Sequence, residues 1–388
     1  MTLHLAVALD GAGWHPAAWR RPPATPSALF TARYWAALAG ESEYGLLDFI
    51  TIEDGFGLQS TRADGPDERA DQVRGRLDAV LTASRIAPLT SRIGLIPTAT
   101  TTHTEPFHVA MGIATLDHVS GGRAGWRPQV SARRSEARHF GRREFPPLDP
   151  AHRADDPHTR ALFEEAADAV EAARRLWDSW EDDAEIRDLA TGRFLDRDKI
   201  HHIDFAGRFF SVKGPAITPR PPQGQPVVAA LAHSRLPYEF AAAAADLVFV
   251  TPHSADEARA VVAEVRELSA DLKIFADLVV FLGDGAAARK ARLDELDGAE
   301  LASDAAIFTG TASELAELLL DWRRAGVQGF RLRPGALPYD LEQITRGVTA
   351  ELRRRGAFRT RYEAATLRGL LGLPRPASRY ASGHLEVR

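Results

Sequence analysis

Eight short apolar runs separated by amphipathic helical patterns predict an α/β fold, a closed (β/α)8 barrel with insertions. Three observations carry the expectation. The runs alternate with helices almost from end to end, they are apolar on both faces, and 388 residues suffice for one large barrel. Strands of a parallel sheet covered by helices read this way because neither face meets water. A doubly wound open sheet is the alternative reading of the same alternation.

Taken in order, Leu3–Asp10 and Leu46–Asp54 are continuous apolar runs that each end in an aspartate. Arg92–Thr100 is the third, and Arg123–Ser131 the fourth, weakened by Pro128, which removes a backbone donor. Pro226–Ala232, Asp246–Pro252, Lys273–Gly283 and Gly329–Pro334 complete the eight. Between the fourth and fifth, "DDPH" opens a helix: Asp156 can cap it and Pro157 suits its first position. Phe163, Ala166, Val170, Ala173 and Trp177 then recur at spacings of three and four, which makes one apolar face. "SADEARAVVAEVREL" and "TASELAELLLDWRRAG" each open on a Ser or Thr cap, and Gly326 closes the second. Two stretches read as excursions: Phe56–Gly75, and a proline-rich segment at about 181–225 that is too long for a simple connection.

Bulk composition narrows the function. A net charge of -5, from 48 basic and 53 acidic residues, argues against nucleic-acid or anionic-membrane partners. No cysteine is present, which excludes thiolate chemistry and cysteine-held metals. No apolar run is long enough to span a bilayer, and the N-terminus reads as a strand and not as a signal peptide, so a cytoplasmic enzyme is expected. Metal sites are not expected: His103 and His108 do not share a helix face, and His201 and His202 diverge if extended. "GDGAAA", Gly283 to Ala288, resembles a dinucleotide loop but reads as a tight turn opening a helix.

The functional face of a parallel barrel lies at the carboxyl ends of its strands. There the sequence places Asp10, Asp54, the hydroxyl-rich "TATTTH" (Thr98 to His103), Arg127, His233, Ser234, Thr251 and His253. Trp14, Trp19, Phe56, Phe107 and Trp126 belong to the same face, and together they suggest a mostly apolar pocket for a flat cofactor.

Several blocks resemble the nitrilotriacetate and dibenzothiophene-sulfone monooxygenase group of the bacterial-luciferase-like flavin monooxygenases. They are "GWHPAAWRRP", "DFITIEDGFG", "FHVAMGIATLDHVSGGRAGW", "TGRF…KIHHIDFAGRFFSV" and "LRRRGAFRTRYEAATLRGLLGLPRPASRY". They run in order from about residue 11 to 380. The resemblance implies a single TIM-barrel domain over 1–388, with an excursion at about 181–225 and a C-terminal tail at about 350–388. It implies an FMN-dependent monooxygenase that receives reduced FMN from a separate flavin reductase and acts on a small organic substrate, with cleavage of a C–N or C–S bond in some members. A homodimer is expected on the same ground.

By the same resemblance Asp54 and Thr98 lie beside the flavin and Ser234 binds its phosphate. Thr159 and Phe163 stand where the family has a cofactor-binding His and Tyr, and Pro237 stands where its phosphate loop has a glycine. These departures leave two alternatives: a deazaflavin-dependent oxidoreductase, or a catalytically silent partner subunit of an active paralogue. The acid–base residues are not identified. His15, Phe56 and Arg127 are the candidates for substrate contact.

Overall fold

The computed structural model describes residues 3–147 and 156–381. Eight parallel strands close into a ring: β1 (His4–Leu9), β2 (Phe49–Ile52), β3 (Gly94–Thr100), β4 (Gly125–Gln129), β5 (Val227–Leu231), β6 (Leu247–Val250), β7 (Lys273–Leu282) and β9 (Gly329–Pro334). Pairing of β1 with β9 and of β6 with β7 seals the barrel and excludes the open sheet. All eight expected runs supply a strand, the last with the expected bounds and the others trimmed at one or both ends. Pro128 lies inside β4, but the recorded pairing with β5 covers only Gly125 and Trp126, so its missing N–H is not needed on that side.

Helices fill the crossovers, among them α1 (Ala32–Tyr44), α2 (Ala79–Ile86), α3 (Pro106–Ser120), α4 (Arg134–Phe140), α5 (Pro157–Asp178), α6 (Arg235–Ala244), α7 (Ala255–Leu268), α8 (Ala286–Asp297) and α9 (Ala312–Arg324). The caps are those the sequence offers: Asp156 accepts from two amides at the start of α5, Ser254 caps α7, and Thr311 with Glu314 forms a capping box on α9. "GDGAAA" begins as a turn with Gly283 and Gly285 at positive φ, and α8 opens within it at Ala286. Among the described residues no helix is long and apolar enough to cross a membrane, and no cluster of three or more His, Cys, Asp or Glu side chains could hold a metal ion.

Three features lie outside the sequence reading. A ninth strand, β8 (Ala306–Gly310), pairs with the upper half of β7 and extends the sheet above the end of β6. The excursion carries two small antiparallel hairpins, Glu185–Asp188 with Arg193–Leu195 and Phe205–Ala206 with Ser211–Val212. The C-terminal segment is the floor of the barrel, not a loose tail. Leu367 and Leu371 pack with Ala6, Phe49, Ile96, Phe249 and Phe275, the inward side chains of five strands. Gly94 makes room for this plug, since a Cβ there would sit 2.5 Å from a methyl of Leu367. Asp48 anchors the same end by accepting from Arg359, His4 and the Leu5 amide.

Because Leu367 is fully buried where the structure cannot collapse freely, Leu367→Ala lowers unfolding stability by about 3 kcal/mol. Leu81→Ala, on an exposed face of α2, changes it by less than about 0.5 kcal/mol. Urea denaturation of the two variants against the parent checks the contrast.

Candidate active site

Alternation along the strands decides what fills the barrel. Residues i and i+2 share a face, so the positions above the apolar floor are Thr51 and Glu53 on β2 and its end, Thr98 on β3, Arg127 on β4, Asp277 on β7, and Arg331 and Arg333 on β9. Register confirms the neighbours: Thr98 pairs with Arg127, and Asp277 with Arg331. Above an aromatic floor, the barrel therefore holds a layer of charge.

The layer is one connected row. Arg127 donates to the Thr98 hydroxyl at 3.0 Å and to the Glu53 carboxylate. Arg331 donates to Glu53 at 3.2 Å and bidentately to Asp277, while its guanidinium lies 4.0 Å over the Phe249 ring. Arg333 donates to Asp277 and, at 2.6 Å, to Asp304, which precedes β8. Three guanidiniums thus face three carboxylates. Burial opposes ionisation of Glu53, but Arg127 and Arg331 outweigh it and hold its carboxyl below the usual range. Burial likewise opposes ionisation of Asp304, and Arg333 prevails, bringing its carboxyl down to about 2. Among the described residues nothing accepts from Nη1 of the buried Arg127.

Asp54, next along the chain from Glu53, points the other way. Its carboxylate accepts from the Gly55 amide at 2.7 Å and from the Ala79 amide, at the start of α2, at 2.8 Å. Burial raises its pKa despite those two amides. Ser234 is the N-cap of α6, yet its side chain makes no cap bond and is exposed. Pro237 at the third helical position removes one of the amides that a helix start offers an anion.

The other candidates are committed elsewhere. Thr159 donates its hydroxyl to Asp156 at 2.8 Å and so takes part in the α5 cap. Phe163 packs on Phe240 of α6, with ring centroids 5.8 Å apart, and cannot hydrogen-bond. His15 is buried with both ring nitrogens engaged, Nε2 with Asp294 at 3.0 Å and Nδ1 accepting from the Ala17 amide. It orders the loop after β1 and also lines the cavity beside that loop. Phe56 is partly exposed and meets Phe140 edge-on at 4.8 Å, close to His103. Arg127 sits in the charged row, and its contact with Thr98 brings two of the expected site residues together.

Two cavities open at this face. One, of about 510 Å³, lies between the loop after β1, the segment around Gln59 and the Asp297–Ala302 stretch. The other, of about 220 Å³, lies beside Thr101–Pro106, α4 and the excursion. Neither is lined by Asp54, Thr98 or Ser234. Sequence reasoning missed the row itself. Its signal was present in "GFRLRP" and "FADLVV", where charges occupy alternate positions of strands that are otherwise apolar on both faces.

The family model described as "Luciferase-like monooxygenase" matches residues 14–329. The N-acetyl-S-(2-succino)cysteine monooxygenase of Bacillus subtilis (strain 168) is 30% identical, with 98% of each chain covered. Nitrilotriacetate monooxygenase component A of Aminobacter aminovorans is 29% identical, again with 98% of each covered. The crystal structure of a long-chain alkane monooxygenase superposes with a TM-score of 0.85 at 23% identity, covering 96% of each chain.

Removing one member of the row strands its partners in low dielectric. Asp277→Asn is expected to cost about 3–5 kcal/mol of stability, and adding Arg331→Met recovers part of that loss, read by denaturant melts. Glu53 and Asp304 both carry folded-state pKa values below those of the unfolded chain. The stability they lend is therefore complete above the ordinary carboxylate range and is lost as pH falls through the folded-state values. For Asp304 that window runs from roughly pH 4 to about 2. Asp304→Asn flattens this part of the acid limb in a melting-temperature series.

Proposed function

The chain belongs to the luciferase-like monooxygenase family, and from that premise we propose that it is the oxygenase component of a two-component system. It takes reduced FMN from a separate flavin reductase and oxidises a small organic substrate with O2, with cleavage of a C–N or C–S bond as the chemistry closest to that of its named relatives. Two of those relatives are named for a thioether and for a tertiary amine, and one is named a component A, which supports both parts of the reading.

Reduced flavin, when bound, supplies the electrons that activate O2 for insertion of one atom into the substrate, the other leaving as water. The residues present fit a phosphorylated flavin, with fewer ligands than the resemblance implies. The observation that carries the fit is the open cap of α6. The Ser234 hydroxyl is exposed and unbonded, and the first two amides of this ten-residue helix, those of Arg235 and Leu236, are uncommitted at its positive end. At the centre of the barrel face, Arg127 Nη1 and the Thr98 hydroxyl are the groups left to meet a polar ring edge. Asp54 holds the loop after β2 to α2 and shapes the wall on that side. The charged row beneath excludes bulk water from the inner barrel, which protects a reactive centre above it from hydrolysis.

Titration of the protein with FMN, followed by flavin fluorescence, is expected to saturate, and Ser234→Ala weakens the affinity about tenfold, in keeping with a hydrogen bond to a charged group. With a flavin reductase, NADH and 18O2, one labelled oxygen enters the organic product. Failure to bind FMN at hundreds of micromolar, while a deazaflavin binds or no flavin does, overturns the FMN reading.

A further inference from the structure

The smaller cavity carries a chemistry of its own. Its walls include His103 on the loop after β3, Phe140 on α4, Arg142 and Arg143 just beyond α4, Glu165 on α5, and Phe209 and Phe210 from the excursion. It opens only five residues past Thr98, on the face where a barrel places its chemistry. His103 is nine-tenths buried, stacks on Phe140 at 5.0 Å with the rings 15° apart, and has a buried Nε2 with no hydrogen-bond partner. A buried polar group left unpaired costs about 1–3 kcal/mol, and such groups in folded proteins call for a reason. Burial, with the nearby Arg143 and His139 adding to it, takes the imidazole down to about 4. At neutral pH the ring is therefore an uncharged hydrogen-bonding group, and recognition of charge falls to the two arginines.

The arginines are not equivalent. Arg143 is held by Glu165 at 2.7 Å and by the Thr102 carbonyl. Among the described residues Arg142 pairs with Glu105, and both side chains of that pair are more than half exposed, 65% and 62%. An exposed pair of this kind contributes about 0–1 kcal/mol, so an incoming anion can replace Glu105 on Arg142 with little loss. The remaining carboxylate of the wall, Glu165, is neutralised by Arg143. The volume, about 220 Å³, is at the small end for a ligand site, and three phenylalanine rings offer an apolar slot.

We propose that this cavity binds a small organic acid, an aromatic or compact apolar body bearing one carboxylate, with Arg142 taking the carboxylate and His103 a second polar group or the other oxygen, and that this is the substrate class of the enzyme. Only the word substrate rests on the flavin-oxygenase reading; binding does not.

The test uses the full-length protein without flavin, titrated with benzoate and with its uncharged counterpart benzamide, by calorimetry and by NMR of protein labelled with 15N-histidine. Benzoate is expected to saturate the site at least tenfold more tightly than benzamide and to shift the His103 ring resonances. Arg142→Gln removes the preference for benzoate and leaves benzamide binding in place. His103→Phe keeps the stacked ring, preserves the melting temperature, and weakens both ligands about tenfold. Equal affinity for the two ligands, no binding of either at tens of millimolar, or an unchanged benzoate affinity in Arg142→Gln overturns the proposal. In the FMN-loaded protein, benzoate perturbs the flavin absorbance; binding without that perturbation overturns the substrate assignment. Failure of FMN itself to bind strikes the oxygenase reading alone and leaves the benzoate result to be judged by itself.

Discussion

The row of alternating charge across the barrel is the constraint on which the upper half of the molecule depends. Three guanidiniums and the carboxylates of Glu53 and Asp277 are largely withdrawn from water there, with the more exposed Asp304 closing the row at its rim, and each buried charge is tolerable only because its neighbours are in place. The row is also a register lock. Asp277 and Arg331 face each other in adjacent strands, as do Thr98 and Arg127. A slip of one residue in β9 would turn Arg331 out of the barrel and leave Asp277 unpaired in the interior. The apolar floor beneath cannot supply this discrimination, because Phe49, Ile96, Phe249 and Phe275 tolerate one another in many arrangements.

The charges of the row cancel, and one guanidinium nitrogen, Nη1 of the buried Arg127, is left without an acceptor among the described residues, beside the Thr98 hydroxyl. Asp304 draws the segment before β8 down onto Arg333, and His253 bonds to the Asp304 carbonyl at 3.1 Å. The extra strand is thereby tied to the row and covers part of the barrel's upper rim. Open space lies to the side, including the two cavities whose walls are supplied by loops and the excursion. Rigid scaffold and variable rim divide the labour of stability and recognition, as barrels commonly do.

How much of this was legible in the sequence follows from how each part is stabilised. The eight strands were legible because both their faces are buried and their apolar character is local. The helix caps were legible because a cap is a contact between residues three apart. The floor was not: "TLRGLLGL" looks like any exposed amphipathic end until Leu367 meets Phe49 and Gly94, which are far away in the chain. The strands of the excursion's hairpins are two to four residues long, too short to show a period. The charged row was half legible, since alternation marks Arg331 and Arg333 as inward, but only the closed ring brings Asp277, Glu53 and Arg127 to them.

The site residues divide along the same line, and the two helix starts at this face show why. At α5 the cap is Asp156, a carboxylate whose pKa is depressed by the amide and hydroxyl of Thr159. The positive end of that helix already holds its anion, so the hydroxyl at 159 is closed off and a phosphate placed there would meet a like charge. At α6 the cap is Ser234, neutral and unbonded, and the helix end keeps its unfilled amides despite Pro237. On the flavin reading proposed above, electrostatics therefore favours the start of α6 over that of α5 for the cofactor's phosphate.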